Sequence, residues 1–323
     1  MSSRSIAAIV AIVVGLSASL EVVAQQTGPR TPDGHPDFQG TYEFATITPL
    51  QRPKEFETKP FLTEAEAAEH VRRRNEARHA DRRSPDPLTD LLGSYNEFWY
   101  ERPRVMLNLR GRHLTSRIVD PPDGRVPGLT PAAQQRLVAS ARDRQGRGPA
   151  DGPEDLDLPT RCLSPSPVIS PGGENGILQI VQTADHVAIQ VELMSVLKIV
   201  SLRRAMHLPP SVRSHSGDSI GRWEGDTLLV DTSNYSGAFG FEYAAVDENL
   251  HVTERFSRAD DDRVLYEATI DDPTAFVRPW TMVLVLRRTD ARMFEFACHE
   301  GNYAIENILR GARAEEQRAT KPK

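Results

Sequence analysis

Cysteine and lysine are both scarce. The chain has two cysteines in 323 residues and five lysines against 34 arginines. Two cysteines exclude a disulfide-dense scaffold, and neither a C-x-x-C nor an H-E-x-x-H pair is present to announce a zinc site. No nucleotide-binding glycine fingerprint follows a strand, and no repeat of about 20–50 residues recurs, which removes solenoids and disfavours propellers. A net charge of −6 lacks the clustered positive charge that a general nucleic-acid binder needs to displace counterions. The remaining composition, 39% hydrophobic and 26% charged with 24 prolines and 21 glycines, is that of a globular protein.

Only the N-terminus carries a long apolar run. Arg4, the apolar stretch 6–20 and Val22-Val23-Ala24 follow the charged start, hydrophobic middle and small-residue cleavage site of a secretory signal. About 15 apolar residues broken by Ser17 and Ser19 fall short of the roughly 20 that span a bilayer. The expectation is a signal over 1–24, cleavage before Gln25, and a periplasmic or secreted protein with no stable membrane insertion afterwards. In an oxidising compartment, Cys162 and Cys298 are expected to form a disulfide. A nucleophilic cysteine is the alternative, supported only by the adjacent His299.

Residues 25–323 read as one β-rich domain with helical excursions at about 63–83 and 130–146. Thr63 with Glu66 forms a capping box ahead of a run rich in Ala, Glu and Arg. Thr130 followed by Pro131 is a favoured helix start, and the pattern fades at Gly146. The opening stretch 37–44 alternates like a first strand. From residue 177 onward, alternating segments at 177–182, 187–193, 197–202, 227–232, 250–258, 264–270, 281–287 and 293–297 are separated by short turns. Short connections require antiparallel neighbours. The predicted fold is therefore mainly β (α+β), an antiparallel barrel or sandwich with two or three peripheral helices, one of them at 304–313.

Several constellations bear on chemistry. Gly217-Asp218-Ser219-Ile220-Gly221 matches G-x-S-x-G, but a nucleophile elbow needs a strand before it and a helix after it, and here a strand follows. Trp223-Glu224-Gly225-Asp226-Thr227 reads as a hairpin with a two-residue turn, Gly225-Asp226 or Glu224-Gly225, and Trp223 as core packing or as a ligand platform. His207, His215, His251 and His299 lack the close spacing of metal ligands, and Asp260 to Asp262 lack EF-hand spacing, so no metal and no cofactor is expected. Cys298-His299-Glu300-Gly301-Asn302-Tyr303 is the densest polar knot, read either as a helix cap or as an acid/base site. Arg102, Arg117, Arg161 and Arg255 sit beside aromatic or acidic residues, with Glu97, Glu192, Glu254 and Glu267 available as partners. Glu254 and Arg255 are adjacent in one strand and must point to opposite faces, so one of them enters the interior. That predicts a polar pocket inside the β structure.

The segments Thr31-Pro32-Asp33-Gly34-His35-Pro36-Asp37-Phe38-Gln39-Gly40, Tyr95-Asn96-Glu97-Phe98-Trp99, Ile118-Val119-Asp120-Pro121-Pro122-Asp123-Gly124-Arg125, Gly221-Arg222-Trp223-Glu224-Gly225-Asp226-Thr227 and Cys298-His299-Glu300-Gly301-Asn302-Tyr303 resemble a large family of exported, uncharacterised bacterial proteins. The resemblance covers nearly the whole mature chain and implies export, with no activity or catalytic residue carried over. The stretch Asp37-Phe38-Gln39-Gly40-Thr41-Tyr42 is also similar to the start of lipocalin-like barrels, with Tyr42 where that pattern has tryptophan.

Together these readings predict a polar and aromatic pocket for a small organic or carbohydrate ligand. As an enzyme it would do acid/base chemistry, as a hydrolase, lyase or isomerase. His299 and Glu300 would then move protons and Arg255 or Arg117 would stabilise an anion. Tyr95, Glu97, Trp99, His207, Trp223 and Asn302 would contact the ligand. The alternative is a non-catalytic, lipocalin-like binding protein, which requires a chiefly apolar pocket.

Overall fold

A computed structural model describes residues 28–320 apart from 78, 80–82, 88, 91–102, 172–175, 238, 241, 242 and 244. The expected signal segment and the candidates Tyr95, Glu97, Trp99 and Arg102 lie outside the described residues.

Among the described residues, thirteen strands form two sheets. In chain order they are β1 (Gly40–Glu43), β2 (Phe61–Leu62), β3 (Asn108–Leu109), β4 (Arg112–Leu114), β5 (Ile118–Asp120), β6 (Ile177–Gln182), β7 (His186–Val191), β8 (Val196–Ser201), β9 (Asp218–Glu224), β10 (Thr227–Ser233), β11 (His251–Arg258), β12 (Arg263–Asp271) and β13 (Trp280–Arg288). Strands β6 to β13 run in sequence around a ring, and β1 pairs with both β6 and β13, closing a nine-stranded barrel. Closure leaves no free edge in the ring. β5 extends the sheet beside β13, and β2, β4 and β3 form a small sheet of their own.

The fold class is thus a barrel with peripheral helices, with one departure from the all-antiparallel expectation. β8 and β9 pair in parallel, Val200 with Ser219 and Ser201 with Ile220. The connection over 202–217 has the length such a crossover needs. β9 escaped the sequence reading because Gly217, Asp218, Ser219 and Gly221 dilute its pattern. Gly221 is needed there, since a Cβ would lie 2.7 Å from a Val200 methyl. The segment 293–297, expected as a strand, is not one. With the ring already closed by β1, it has no edge to join, and it runs along the rim: the Phe294 N–H donates to Glu192 Oε2 at 3.1 Å and Ser195 Oγ donates to the Phe296 carbonyl at 3.1 Å.

Among the described residues, three longer helices flank the barrel: α1 (Glu64–Ala77), α2 (Pro131–Asp143) and α3 (Tyr303–Ala319). Helix α1 begins at the expected box, with the Glu66 N–H on Thr63 Oγ1 at 3.3 Å and the Thr63 N–H on Glu66 Oε2 at 3.0 Å, but ends short of residue 83. Thr130 Oγ1 caps α2 by accepting the Ala133 N–H at 3.1 Å. Asn302 caps α3 through the Ala304 N–H at 3.2 Å.

Inward positions alternate cleanly on the neighbouring strands β11 and β12, where Val252, Glu254, Phe256 and Arg258 lie beside Ile270, Ala268, Tyr266 and Val264 and all eight are buried. β13 is buried on both faces because residues 103–120 and α1 cover its outer wall, as Val283 and Val285 show. One end of the barrel is closed by residues 29–40. The Phe38 N–H donates to Gln182 Oε1 at 3.0 Å, Tyr42 Oη donates to the Phe38 carbonyl at 2.9 Å, and the Trp223 indole stacks on His35 at 4.4 Å and on Phe38 at 5.8 Å. The two-residue hairpin turn is Gly225-Asp226, and Arg30 grips the Asp226 carboxylate with two bonds of 2.9 and 2.8 Å.

Candidate functional site

The other end of the barrel is hollow. The β7–β8 connection and the strap 164–171 enclose a cavity of about 490 Å3, lined by Ile189, Val191, Val196 and Lys198 of the wall, Val168 and Ile169 of the strap, and Leu50, Arg117, Tyr243 and Glu254. Most of this surface is hydrocarbon. A disulfide joins Cys162, just before the strap, to Cys298, with Cα atoms 5.7 Å apart, as expected from the two cysteines. The strap itself is held by the Gly240 N–H on the Pro165 carbonyl at 2.9 Å, and the Ser164 carbonyl lies 2.8 Å from His215 Nε2.

Buried charge meets within this apolar space. Glu254 on β11 is 1% exposed and forms an ion pair with Lys198, 8% exposed, three strands away on β8. Tyr266 Oη donates to Glu254 Oε1 at 2.8 Å and accepts the Ile169 N–H from the strap at 3.3 Å. Burial, followed by the Glu254 charge, pushes the Tyr266 hydroxyl well above its ordinary range, so it remains a donor to the carboxylate. Glu254 Oε2 faces Lys198 Nζ, whose ammonium has three N–H bonds, one of them used on Glu254.

Of the adjacent pair in β11, it is Glu254 that enters the barrel. Arg255 points outward and bonds Glu224 Oε2 at 3.1 Å. Arg117 lines the cavity. His299 and Glu300 are exposed and line no part of it. Asn302 ties the disulfide region together, its Nδ2 donating to the Thr160 carbonyl at 3.1 Å beside Cys162 Sγ. Trp223 belongs to the plug at the opposite end. Ser219 of the G-x-S-x-G segment is buried, with its Oγ 2.8 Å from Thr232 Oγ1, on a strand where no elbow forms.

His207 belongs to a separate cluster on the outer wall. Its Nδ1 lies 2.9 Å from Asp218 and its Nε2 2.7 Å from Asp231, which also sits 2.9 Å from His251 Nε2. Arg204 forks onto Asp218 at 3.0 and 2.7 Å. The cluster pins the 202–217 crossover to β9, β10 and β11. Burial opposes ionisation of Asp218, but Arg204 and the Leu208 N–H prevail and hold it down at about 2. The bond to Asp231 raises His251 above the usual imidazole range, and the bond from His251 lowers Asp231. Among the described residues, no group of three His, Cys, Asp or Glu has the placement to hold a metal ion, and no helix is long and apolar enough to cross a membrane.

Sequence reasoning missed Lys198 and the strap. The signal for Lys198 lay in the period of two along Leu197-Lys198-Ile199-Val200, which puts lysine and valine on one face. The structure turns that face inward and leaves Leu197 and Ile199 about half exposed, at 48% and 50%.

No protein-family model matches the chain, and no curated protein matches it. Among solved structures, a variant of the fluorescent protein UnaG is 16% identical, with the overlap covering 36% of this chain and 72% of that one at a TM-score of 0.24. A likeness at that level carries no argument. The barrel described above rests on its own strand pairing.

Proposed function

We propose that the protein is an exported binding protein whose barrel takes up a small amphiphilic organic molecule, apolar in its body and polar at its head. The observation that carries this reading is the buried Lys198–Glu254 pair in the wall of an otherwise apolar cavity of about 490 Å3. Ligand pockets combine apolar walls with a few placed polar groups in this way, within a range of about 300–1,000 Å3. A carbohydrate would need polar partners along its whole length, and the hydrocarbon walls do not supply them. Arg117 also lies in the lining. The acid/base pair that a hydrolase would have used, His299 and Glu300, stands at the surface, so the reading is binding and not catalysis. The disulfide and the signal-like first 24 residues support export.

The test uses anilinonaphthalene sulfonate, an amphiphilic dye that brightens in apolar surroundings. The protein should bind it with one-to-one stoichiometry, medium-chain alcohols should displace it, and hexoses should not. Ile189→Trp, which fills the cavity from β7, should reduce dye affinity at least tenfold with little change in Tm. Equal dye binding by a folded Ile189→Trp protein overturns the proposal.

A further inference from the structure

We infer that the head group taken up by this cavity is an aldehyde carbonyl, captured as an imine on Lys198 with Glu254 as acid, base and counter-ion. The inference deepens the binding reading above and rests on it.

The first observation is the choice of cation. This chain fills 34 of its 39 basic positions with arginine, yet lysine faces Glu254 inside the cavity, and Lys198 is the buried one among the described lysines. For a purely structural pair, guanidinium is the better partner, because its fork binds a carboxylate with two bonds and it is always charged. What lysine offers instead is a primary amine that can give up its proton and become a nucleophile.

The second observation is the proton acceptor. Lys198 Nζ lies directly against Glu254 Oε2, while Tyr266 holds the other oxygen at 2.8 Å and thereby sets the carboxylate's orientation. The contact places a carboxylate within direct hydrogen-bond reach of the amine, the geometry a proton acceptor needs.

The third observation is charge balance. The Nζ lone pair attacks the carbonyl carbon as the C–O π electrons move to oxygen, and a proton passes from nitrogen to that oxygen to give the neutral carbinolamine. Glu254, carrying the proton it took from the ammonium, protonates the hydroxyl, which departs as water while nitrogen forms the second bond to carbon. The product is a protonated imine beside a carboxylate. One cation and one anion are present before and after, so covalent capture leaves the buried electrostatics of the barrel unchanged. Neither an oxidant nor a reductant is consumed. The aliphatic walls from Ile189, Val191, Val196 and Val168 fit an alkyl chain on the carbonyl.

The experiment incubates the full mature protein with octanal and sodium cyanoborohydride, which reduces protonated imines to stable amines, and maps the product by peptide mass spectrometry. The expected result is one adduct per chain, at Lys198, weighing the aldehyde less one oxygen. Glu254→Gln should slow labelling at least tenfold. Glu254→Asp, which keeps the charge and so protects folding, should slow it by less. Octanol displacement of the dye is measured in parallel. Octanol binding with labelling confined to the other lysines overturns the imine and leaves the binding reading standing. Failure of octanol to displace the dye overturns the binding reading itself.

Discussion

The two ends of this barrel are built from the same strands and finished in opposite ways. At one end, His35 and Phe38 stack on Trp223, Tyr42 bonds the Phe38 carbonyl, and Arg258 bonds the Asp37 carbonyl. At the other, a strap interrupted by Pro165, Pro167 and Pro171 crosses the opening and leaves space over a charged pair. Around eight strands already make an interior that side chains can just fill, so a nine-stranded ring has volume to spare. The segments that cross its ends decide where that volume stays. Aromatic rings, flat and stackable, consume it; a proline-rich strap without large rings does not.

The largest expected effect tests how the hollow end is kept in place. The Cys162–Cys298 bond spans 136 residues, and a closed loop longer than 100 residues is worth about 4–5 kcal/mol in the chain-entropy model. Replacing both cysteines by alanine should lower stability by about that amount in urea unfolding. If the strap depends on the bond, dye affinity should fall as well. Unchanged affinity would assign the strap to its own hydrogen bonds.

Next in size is the plug. Phe38 is fully buried, and Phe38→Ala should cost about 3–5 kcal/mol while leaving dye affinity within twofold, because Phe38 does not line the cavity. An equal loss of affinity and stability would mean that the two ends act as one unit and would break the contrast drawn here.

The smallest effect belongs to the outer wall, beside neither end's filling. His251 is raised by Asp231, so its contribution is complete below the unfolded imidazole value of about 6.5 and is lost as pH rises through the higher folded value. Asp231 is lowered, so its contribution is present above the unfolded value of about 3.9 and is lost as pH falls through the lower folded one. The urea midpoint should therefore decline modestly from pH 6 to pH 8.5, and Asp231→Asn should flatten that slope. His207, Asp218, Arg204 and Asp271 are the other ionisable neighbours, and a slope that survives Asp231→Asn would assign it to them.

Much of the shell was legible in the sequence because alternation over short, turn-bounded segments leaves few alternatives, and β6, β10, β11, β12 and β13 lie where their patterns put them. The interior was harder to read. Glu254 and Arg255 could be seen to diverge, but which one entered depends on a partner on β8, far along the chain. Lys198 was hidden because Leu197 and Ile199 claim the core by ordinary hydropathy, and only the carboxylate across the barrel reverses that choice. The strap has no periodicity at all. Its role follows from the disulfide and from the Tyr266 hydroxyl that receives Ile169. His299 and Glu300 drew notice as a dense polar knot, yet such density is also what a helix start needs, and Asn302 serves that end.

The seam between β1 and β13 joins residues 42 and 43 to residues 288 and 287. During synthesis, the ribosome must release the chain past residue 288 before this join exists, and until then β1 and β13 each carry an unmatched row of backbone donors and acceptors. Such long-range pairing is slow and leaves a nascent chain vulnerable to wrong partners. A ring sealed by its last strand is thus compatible with the export proposed above, in which the chain would cross a membrane unfolded and assemble only afterwards.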